Sequence, residues 1–262
     1  MRVLAVGALV LGLLVASGAG VPRVEAEEST SVTRTSDEPG FLVFSKTAGF
    51  RHGSIESGVD CFERLADREG YRFEHTEDGA IFNDEDLRRF DAVVFLNTTQ
   101  DVLNPDQQGA FERYIRGGGG FMGVHAAADT EYDWPWYGKL VGAYFSGHPH
   151  IQQADVHVQV ADHECTKHLP DGVWERTDEW YNYRDVNRDS ITVLLTLDES
   201  SYEGGDMLEK GEPDHPIAWC HEFDGGRAFY TGGWHTNESY REPLFVEHLL
   251  GGLRWTMGLE ED

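Results

Sequence analysis

His125 closes the run Gly117-Gly118-Gly119-Gly120-Phe121-Met122-Gly123-Val124-His125-Ala126-Ala127. This reads as a short apolar strand that leaves a glycine turn and stops at an imidazole among small residues. Small residues let the backbone turn sharply, so the ring is displayed at the carboxyl end of a buried strand, where open α/β sheets bind ligands. A nucleophile elbow has this form, with Ser or Cys where the chain has His125. An imidazole there serves as a general base or as a metal ligand. Asp129, one turn on, either orients His125, helps a metal, or caps the next helix. His235, in Gly232-Gly233-Trp234-His235-Thr236-Asn237-Glu238, offers the same chemistry as His125.

Other candidates gather in similar places. Arg51 and His52, in Lys46-Thr47-Ala48-Gly49-Phe50-Arg51-His52, precede a helix start and suit an oxyanion or sugar hydroxyls. Asn97 opens the polar run Asn97-Thr98-Thr99-Gln100. In His148-Pro149-His150, alternation sends the two rings different ways, so at most one, taken as His148, joins His125 and His235 as a metal ligand. Trp134-Pro135-Trp136-Tyr137 and Asp178-Glu179-Trp180-Tyr181 set aromatic faces beside carboxylates. That pairing suits a sugar, whose C–H face stacks on rings while its hydroxyls bond to acids. Trp134, Tyr137, Asp178, Glu179, Tyr181 and Trp234 are therefore substrate-binding candidates. His215, in Asp214-His215-Pro216, either reaches the pocket or shapes a turn. Adjacency alone does not make Asp178 and Glu179 a glycosidase pair, which needs carboxyls across the scissile bond. A divalent metal such as Zn²⁺ is the one cofactor the histidines suggest.

The elements that position these groups alternate between strand and helix from Phe41 onward. Apolar strands are expected at Phe41–Ser45, Tyr71–Thr76, Asp91–Leu96 and from Phe121. Between them, Ile55, Val59, Phe62 and Ala66 recur at helical spacing up to Gly70. Asn83 or Asp84 caps a short acidic helix, and Asn104-Pro105 starts a helix running to Arg116. This succession predicts a parallel, doubly wound sheet. Thr130 to about Arg188 reads as a long insertion with one strand near Asp155–Val160. Strands resume at Ile191–Leu197, Ile217–His221 and Arg227–Thr231, and a helix from about Glu242 to Met257 closes the domain. The loops bearing His52, Asn97, His125 and His235 all follow strands, so topology places them on one sheet edge as a shared pocket.

The chain has 262 residues and a formal charge of −26, from 47 acidic and 21 basic side chains. A field of that sign disfavours nucleic acid and anionic membrane surfaces. Residues 1–26 read as a signal peptide, with an apolar run from Val3 to Val15 too short to favour a permanent span. Residues 27–39 read as a disordered linker, and 40–258 as one α/β domain. A secreted or extracytoplasmic location follows. Cys61, Cys165 and Cys220 lack the spacing of a disulfide framework or zinc ribbon and are expected to be buried small hydrophobes, with one disulfide after export as the alternative. No GxSxG elbow, P-loop, HExxH or strand-linked GxGxxG is present, which removes the main support for serine hydrolases, NTPases, zincins and dinucleotide enzymes.

These segments resemble the trehalose-utilisation (ThuA-like) family. The resemblance is carried by Lys46–His52, Gly118–Thr130, Trp134–Gly138, Asp178–Tyr181, Asp214–Trp219 and Phe229–Tyr240, and spans nearly all of Phe41–Gly258. It implies a flavodoxin-like fold of the class I glutamine-amidotransferase kind. In that fold His125 holds the place of the catalytic Cys, while His235 and Asn237 or Glu238 hold the other catalytic places. Without the thiol there is no thioester route, so glutaminase activity is not expected. The family's biology implies disaccharide catabolism through 3-keto sugars. The resulting expectation is an exported carbohydrate-active enzyme that cleaves a glycoside or 3-keto-glycoside, with a saccharide as its small-molecule partner. A non-catalytic carbohydrate-binding or scaffold domain is the alternative. The sequence does not set the oligomeric state.

Overall fold

The computed structural model describes residues 38–260. The expected signal peptide over 1–26, and the expected linker up to residue 37, lie outside them. In chain order the elements are β1 (Gly40–Phe44), α1 (Ile55–Glu69), β2 (Arg72–Thr76), α2 (Asp84–Leu87), β3 (Ala92–Leu96), α3 (Pro105–Arg116), β4 (Gly120–Val124), α4 (Pro135–Val141), β5 (Tyr144–Gly147), β6 (Gln152–Val158), β7 (Val173–Asp178), β8 (Asn182–Arg184), β9 (Thr192–Leu197), β10 (His215–Phe223), β11 (Gly226–Thr231) and α5 (Pro243–Met257). No helix among the described residues is long and apolar enough to cross a membrane.

Nine strands form one sheet in the order β2-β1-β3-β4-β11-β10-β9-β6-β7. From β2 to β11 every pairing is parallel; from β11 to β7 every pairing is antiparallel. β1, β3 and β4 are buried along their whole length, as parallel strands covered by helices on both faces must be. Their apolar runs supply that covering contact. One face carries an aromatic cluster in which Phe95 stacks on Phe111 at 5.4 Å, with Phe44, Phe121 and Tyr137 around it. The helix ends follow the sequence signals. Gly70 takes the left-handed C-cap at φ 74°, which costs glycine little. Asn104 forms a capping box with Gln107 at the start of α3.

The insertion departs from expectation. It contains four strands: β6 and β7 extend the main sheet, and β5 pairs with β8 apart from it. In β7 burial alternates strictly, and the buried positions are Trp174, Arg176 and Asp178. A test that looks for alternating apolar residues passes over a strand whose inward face is largely polar. The three cysteines are free and buried.

His248 of α5 is enclosed at 0 % exposure. Its Nδ1–H donates to the Cys165 carbonyl oxygen at 2.7 Å, and its Nε2 lies 3.1 Å from the Thr231 hydroxyl, which also accepts from Trp234 Nε1. The neutral ring is thus satisfied at both nitrogens, and burial pushes its pKa down to about 3. The unfolded chain protonates this side chain near pH 6.5. Its contribution is therefore fully present above pH 6.5 and is lost as pH falls toward 3. Between pH 6.5 and 4, wild type should lose about 1.4 kcal/mol more per pH unit than His248→Gln, read from urea midpoints. Parallel slopes would remove His248 as a source of acid lability.

Candidate functional site

Four side chains from four loops meet at the carboxyl edge of the sheet. His52 follows β1, His125 follows β4, Glu179 follows β7 and His235 follows β11. Each offers a ligand atom within 4.8 Å of the others. The ring centroids of His52 and His125 are 4.9 Å apart, those of His52 and His235 5.1 Å, and those of His125 and His235 5.4 Å.

Each group is held by its own support. His125 sits at φ 49°, a left-handed conformation that is strained for a non-glycine residue and that turns its ring off the end of β4. Asn97, Gln100, Glu131 and Trp234, all on loops at the same edge, also have positive φ. His125 Nδ1 lies 2.9 Å from the Gly232 carbonyl oxygen. A carbonyl only accepts, so Nδ1 carries the proton and the Nε2 lone pair faces the cluster. Gly232 must lack a side chain, because a Cβ there would run into the Tyr183 hydroxyl and Ile217. Tyr181 covers His125 with its ring centroid at 4.0 Å. The His52 loop is tied down by Thr99, whose backbone oxygen accepts from Ala48 N and whose hydroxyl bonds Gly49 N and the Phe50 oxygen.

Asp178 supports the other half. It is wholly buried. One oxygen accepts from the backbone N–H groups of Glu179 and His235 at 2.9 and 3.0 Å. The other accepts from Trp234 N at 2.8 Å and the Ser239 hydroxyl at 2.6 Å. One carboxylate thus fixes the two chain segments that present Glu179 and His235.

Three buried ring nitrogens, His52 Nδ1, His125 Nε2 and His235 Nδ1, have no hydrogen-bond partner among the described residues. Glu179 Oε1 is near two of them, at 3.5 Å from His125 Nε2 and 3.1 Å from His235 Nδ1, but neither pair is aligned as a hydrogen bond. An orphaned buried polar atom costs roughly 1–3 kcal/mol, and such groups are rare in folded proteins. Two of them face one carboxylate, and His52 offers a ring nitrogen within 4.8 Å of these groups, a donor set of imidazole nitrogens and one oxygen with the chemistry and spacing to hold a metal ion. The Gly232 contact to His125 is the kind of outer support that metal-ligating histidines use.

The electrostatics agree. Burial, followed by the neighbouring His125 and His235, pushes the His52 pKa down to about 2, so its ring is neutral and available as a ligand. Burial opposes ionisation of Glu179, but interactions with His125 and His235 outweigh it and hold the carboxyl well below its usual range. The same carboxylate raises His235.

The structure divides the sequence-selected residues. His52, His125, Glu179, Tyr181 and His235 come together. His148 joins at the rim, with a half-exposed side chain and Nδ1 3.1 Å from Glu179 Oε2. Asp129 does not hold His125: its carboxylate bonds the Tyr132 hydroxyl and Gln100, and burial raises its pKa. Arg51 pairs with Glu56 and Glu77 at the surface. Asn97 Nδ2 bonds Ser54 and Tyr240. Trp134 bonds Glu112, and Tyr137 bonds the Ala127 carbonyl within the aromatic core. Trp234 packs over Arg176, its ring centroid 4.1 Å from the guanidinium carbon. His215 lies beneath the site, between Glu199 and the Tyr181 carbonyl. Asn237 bonds Ser57, and the acidic member of the site is Glu179. Phe50, unselected from sequence, is 66 % exposed and sets its ring against His52 at 4.9 Å.

The fold and site define an α/β protein with a mostly parallel, helix-covered sheet and a buried His/Glu cluster at its carboxyl edge. The chain belongs to the ThuA family, described as trehalose utilisation, whose model matches residues 41–256. Among solved structures it is similar to a ThuA-like protein from Bacteroides uniformis, at 24% identity and a TM-score of 0.69 over 86% of this chain and 94% of that one. A second ThuA-like protein, from Parabacteroides merdae, matches at 16% identity and a TM-score of 0.67 over 84% and 90%. A β-galactosidase from Bacillus circulans shares the fold at 12% identity and a TM-score of 0.56, over 85% of this chain but 31% of that one. No curated protein matches the chain.

Proposed function

We propose that this chain is an exported carbohydrate-active enzyme that cleaves a glycoside or 3-keto-glycoside, with a divalent metal, Zn²⁺ in the first instance, held by His52, His125, Glu179 and His235. The observation that carries this reading is the meeting of one carboxylate with three histidines, each bearing a buried unpartnered ring nitrogen, with one ligand atom from each of the four within 4.8 Å of the others. The trehalose-utilisation family supports the saccharide, and the apolar run in residues 3–15 supports export. A bound Zn²⁺ supplies Lewis acidity, which polarises a ketone oxygen.

His125 is committed to the cluster, so the proton chemistry falls to His148 at the rim. Its Nδ1 faces only acceptors, the Pro149 carbonyl oxygen at 2.8 Å and Glu179 Oε2 at 3.1 Å. Nδ1 therefore carries the proton and Nε2 is the basic atom. In a 3-keto-glycoside the ketone acidifies the C2 proton. His148 Nε2 takes that proton, the C–H electron pair forms an enolate, and the enolate's return expels the C1 oxygen. His148 then returns the proton to the leaving oxygen, giving an enone and an alcohol. Phe50, exposed at the mouth on a loop fixed by Thr99, supplies an apolar face for the sugar. Phe50→Ala should raise KM about tenfold with kcat within about twofold, as expected for contact made equally in ground and transition states. A matching fall in kcat with KM unchanged would remove Phe50 from substrate binding.

The direct test is incubation of the purified, zinc-loaded protein with 3-keto-trehalose, followed by proton NMR. Release of the C1 sugar, disappearance of the C2 proton signal as the enone forms, and loss of turnover with chelator are expected. Saturable binding without turnover would assign the domain as a carbohydrate-binding module instead.

A further inference from the structure

A second cleft, of about 540 Å³, opens between α1 and the start of α5, with Arg64, Arg68, Arg241, Pro243, Val246 and Glu247 in its lining. Three guanidiniums surround it against one carboxylate. That carboxylate is already engaged: Arg68 holds both Glu247 oxygens, at 2.6 and 3.2 Å. Arg64 donates to the Tyr240 carbonyl oxygen at 3.4 Å, and among the described residues neither Arg64 nor Arg241 makes an ion pair. This runs against the chain's composition, in which acidic side chains outnumber basic ones 47 to 21. Elsewhere arginines find carboxylates readily, as Arg51, Arg113, Arg188 and Arg254 do.

We infer that this cleft binds a small molecule bearing an oxyanion, such as a phosphate ester, sulfate ester or carboxylate, on a compact body. Arginine presents a planar fork that matches oxyanions in two bonds at once, and here two forks stand without a carboxylate partner among the described residues. The exposed Pro243 and the half-buried Val246 give the body of the ligand an apolar surface. The volume exceeds that of an isolated phosphate and falls in the range of small-molecule sites. At physiological salt, screening over about 8 Å shields the cleft from much of the chain's negative field, so the local arginines set its sign. The site is separate from the histidine cluster and does not depend on the reaction proposed there.

The test titrates the full protein with glucose 6-phosphate, glucose 6-sulfate, glucuronate and, as the neutral control, glucose, followed by amide and arginine Nε chemical shifts. At least one anion should bind saturably, shifting resonances of α1 and residues 239–241, while glucose does not. Which anion binds tightest identifies the head group. The double variant Arg64→Gln/Arg241→Gln should weaken that binding at least about tenfold. Both side chains are exposed, so its melting temperature should match wild type, and Arg64→Lys should retain partial affinity. Absence of saturable binding by all three anions would overturn the inference. So would equal binding by the double variant, loss of binding in His125→Asn instead, or an arginine-dependent dimer in place of ligand binding.

Discussion

Replacing His125 by Asn is expected to abolish metal retention and to lower turnover of a 3-keto-glycoside by at least about 1,000-fold, while the protein remains folded. Asn is the informative substitution because the position is left-handed, at φ 49°, a conformation that Asn tolerates and Ala resists. Its amide can still donate to the Gly232 carbonyl, so the local turn survives. What disappears is the Nε2 lone pair facing Glu179. Changes merely to the outer support of a metal ligand cost 10–100-fold in affinity, and loss of the ligand itself should exceed that. Metal content after dialysis, measured by plasma mass spectrometry, and turnover, measured by NMR, read the two effects separately. Retained metal with lost activity would remove His125 as a ligand while leaving it in the chemistry. Retained metal and retained activity would end the assignment of this cluster as the centre. His148→Gln separates the roles further: it should keep the metal and lose turnover.

Much of the parallel half of the fold was legible because its signals are local and strong. The apolar runs of β1, β3 and β4 and the caps at Gly70, Asn83 and Asn104 each follow from a short-range physical rule. The sheet edge was legible too, since parallel strands send the loops after them to one side, and His52, His125 and His235 stand on such loops. The antiparallel half was harder. β7 buries Arg176 and Asp178, and their partners, Glu242, Ser239 and the Trp234 and His235 amides, lie more than fifty residues away. Nothing local announces that such residues point inward. For the same reason the Asp178-Glu179 pair read as two equivalent carboxylates. At the end of a strand, adjacent residues diverge: Asp178 turns into the fold and Glu179 turns to the histidines. The aromatic run at Trp134–Tyr137 misled in the opposite direction. Rings suit sugar and core equally well, and Tyr137, with its hydroxyl on the Ala127 carbonyl, is core.

That divergence makes Asp178 the position where substitution should cost most stability. Asp178→Ala should lower the melting temperature by about 6–20 °C. Its two oxygens accept four hydrogen bonds, three from backbone N–H groups, and Arg176 lies 3.7 Å away with its side chain almost fully buried. Removing the carboxylate strands these donors, and a buried guanidinium loses half of its compensation while keeping Glu242 at 2.7 Å. Breaking a buried charged pair on one side typically costs about 3–5 kcal/mol, and each kcal/mol moves the midpoint of a domain this size by about 2–4 °C. Asp178→Asn is the sharper probe. It preserves volume, but its amide nitrogen must face donors, so part of the loss should persist without any cavity. Metal affinity should fall with stability, because among the described residues the amides of Trp234, at φ 103°, and His235 are held by no side chain but this carboxylate. A role in substrate recognition predicts the reverse: an unchanged melting temperature with a raised KM. Calorimetry on the two variants with and without zinc decides between them, since a support acts on the fold before any substrate is added.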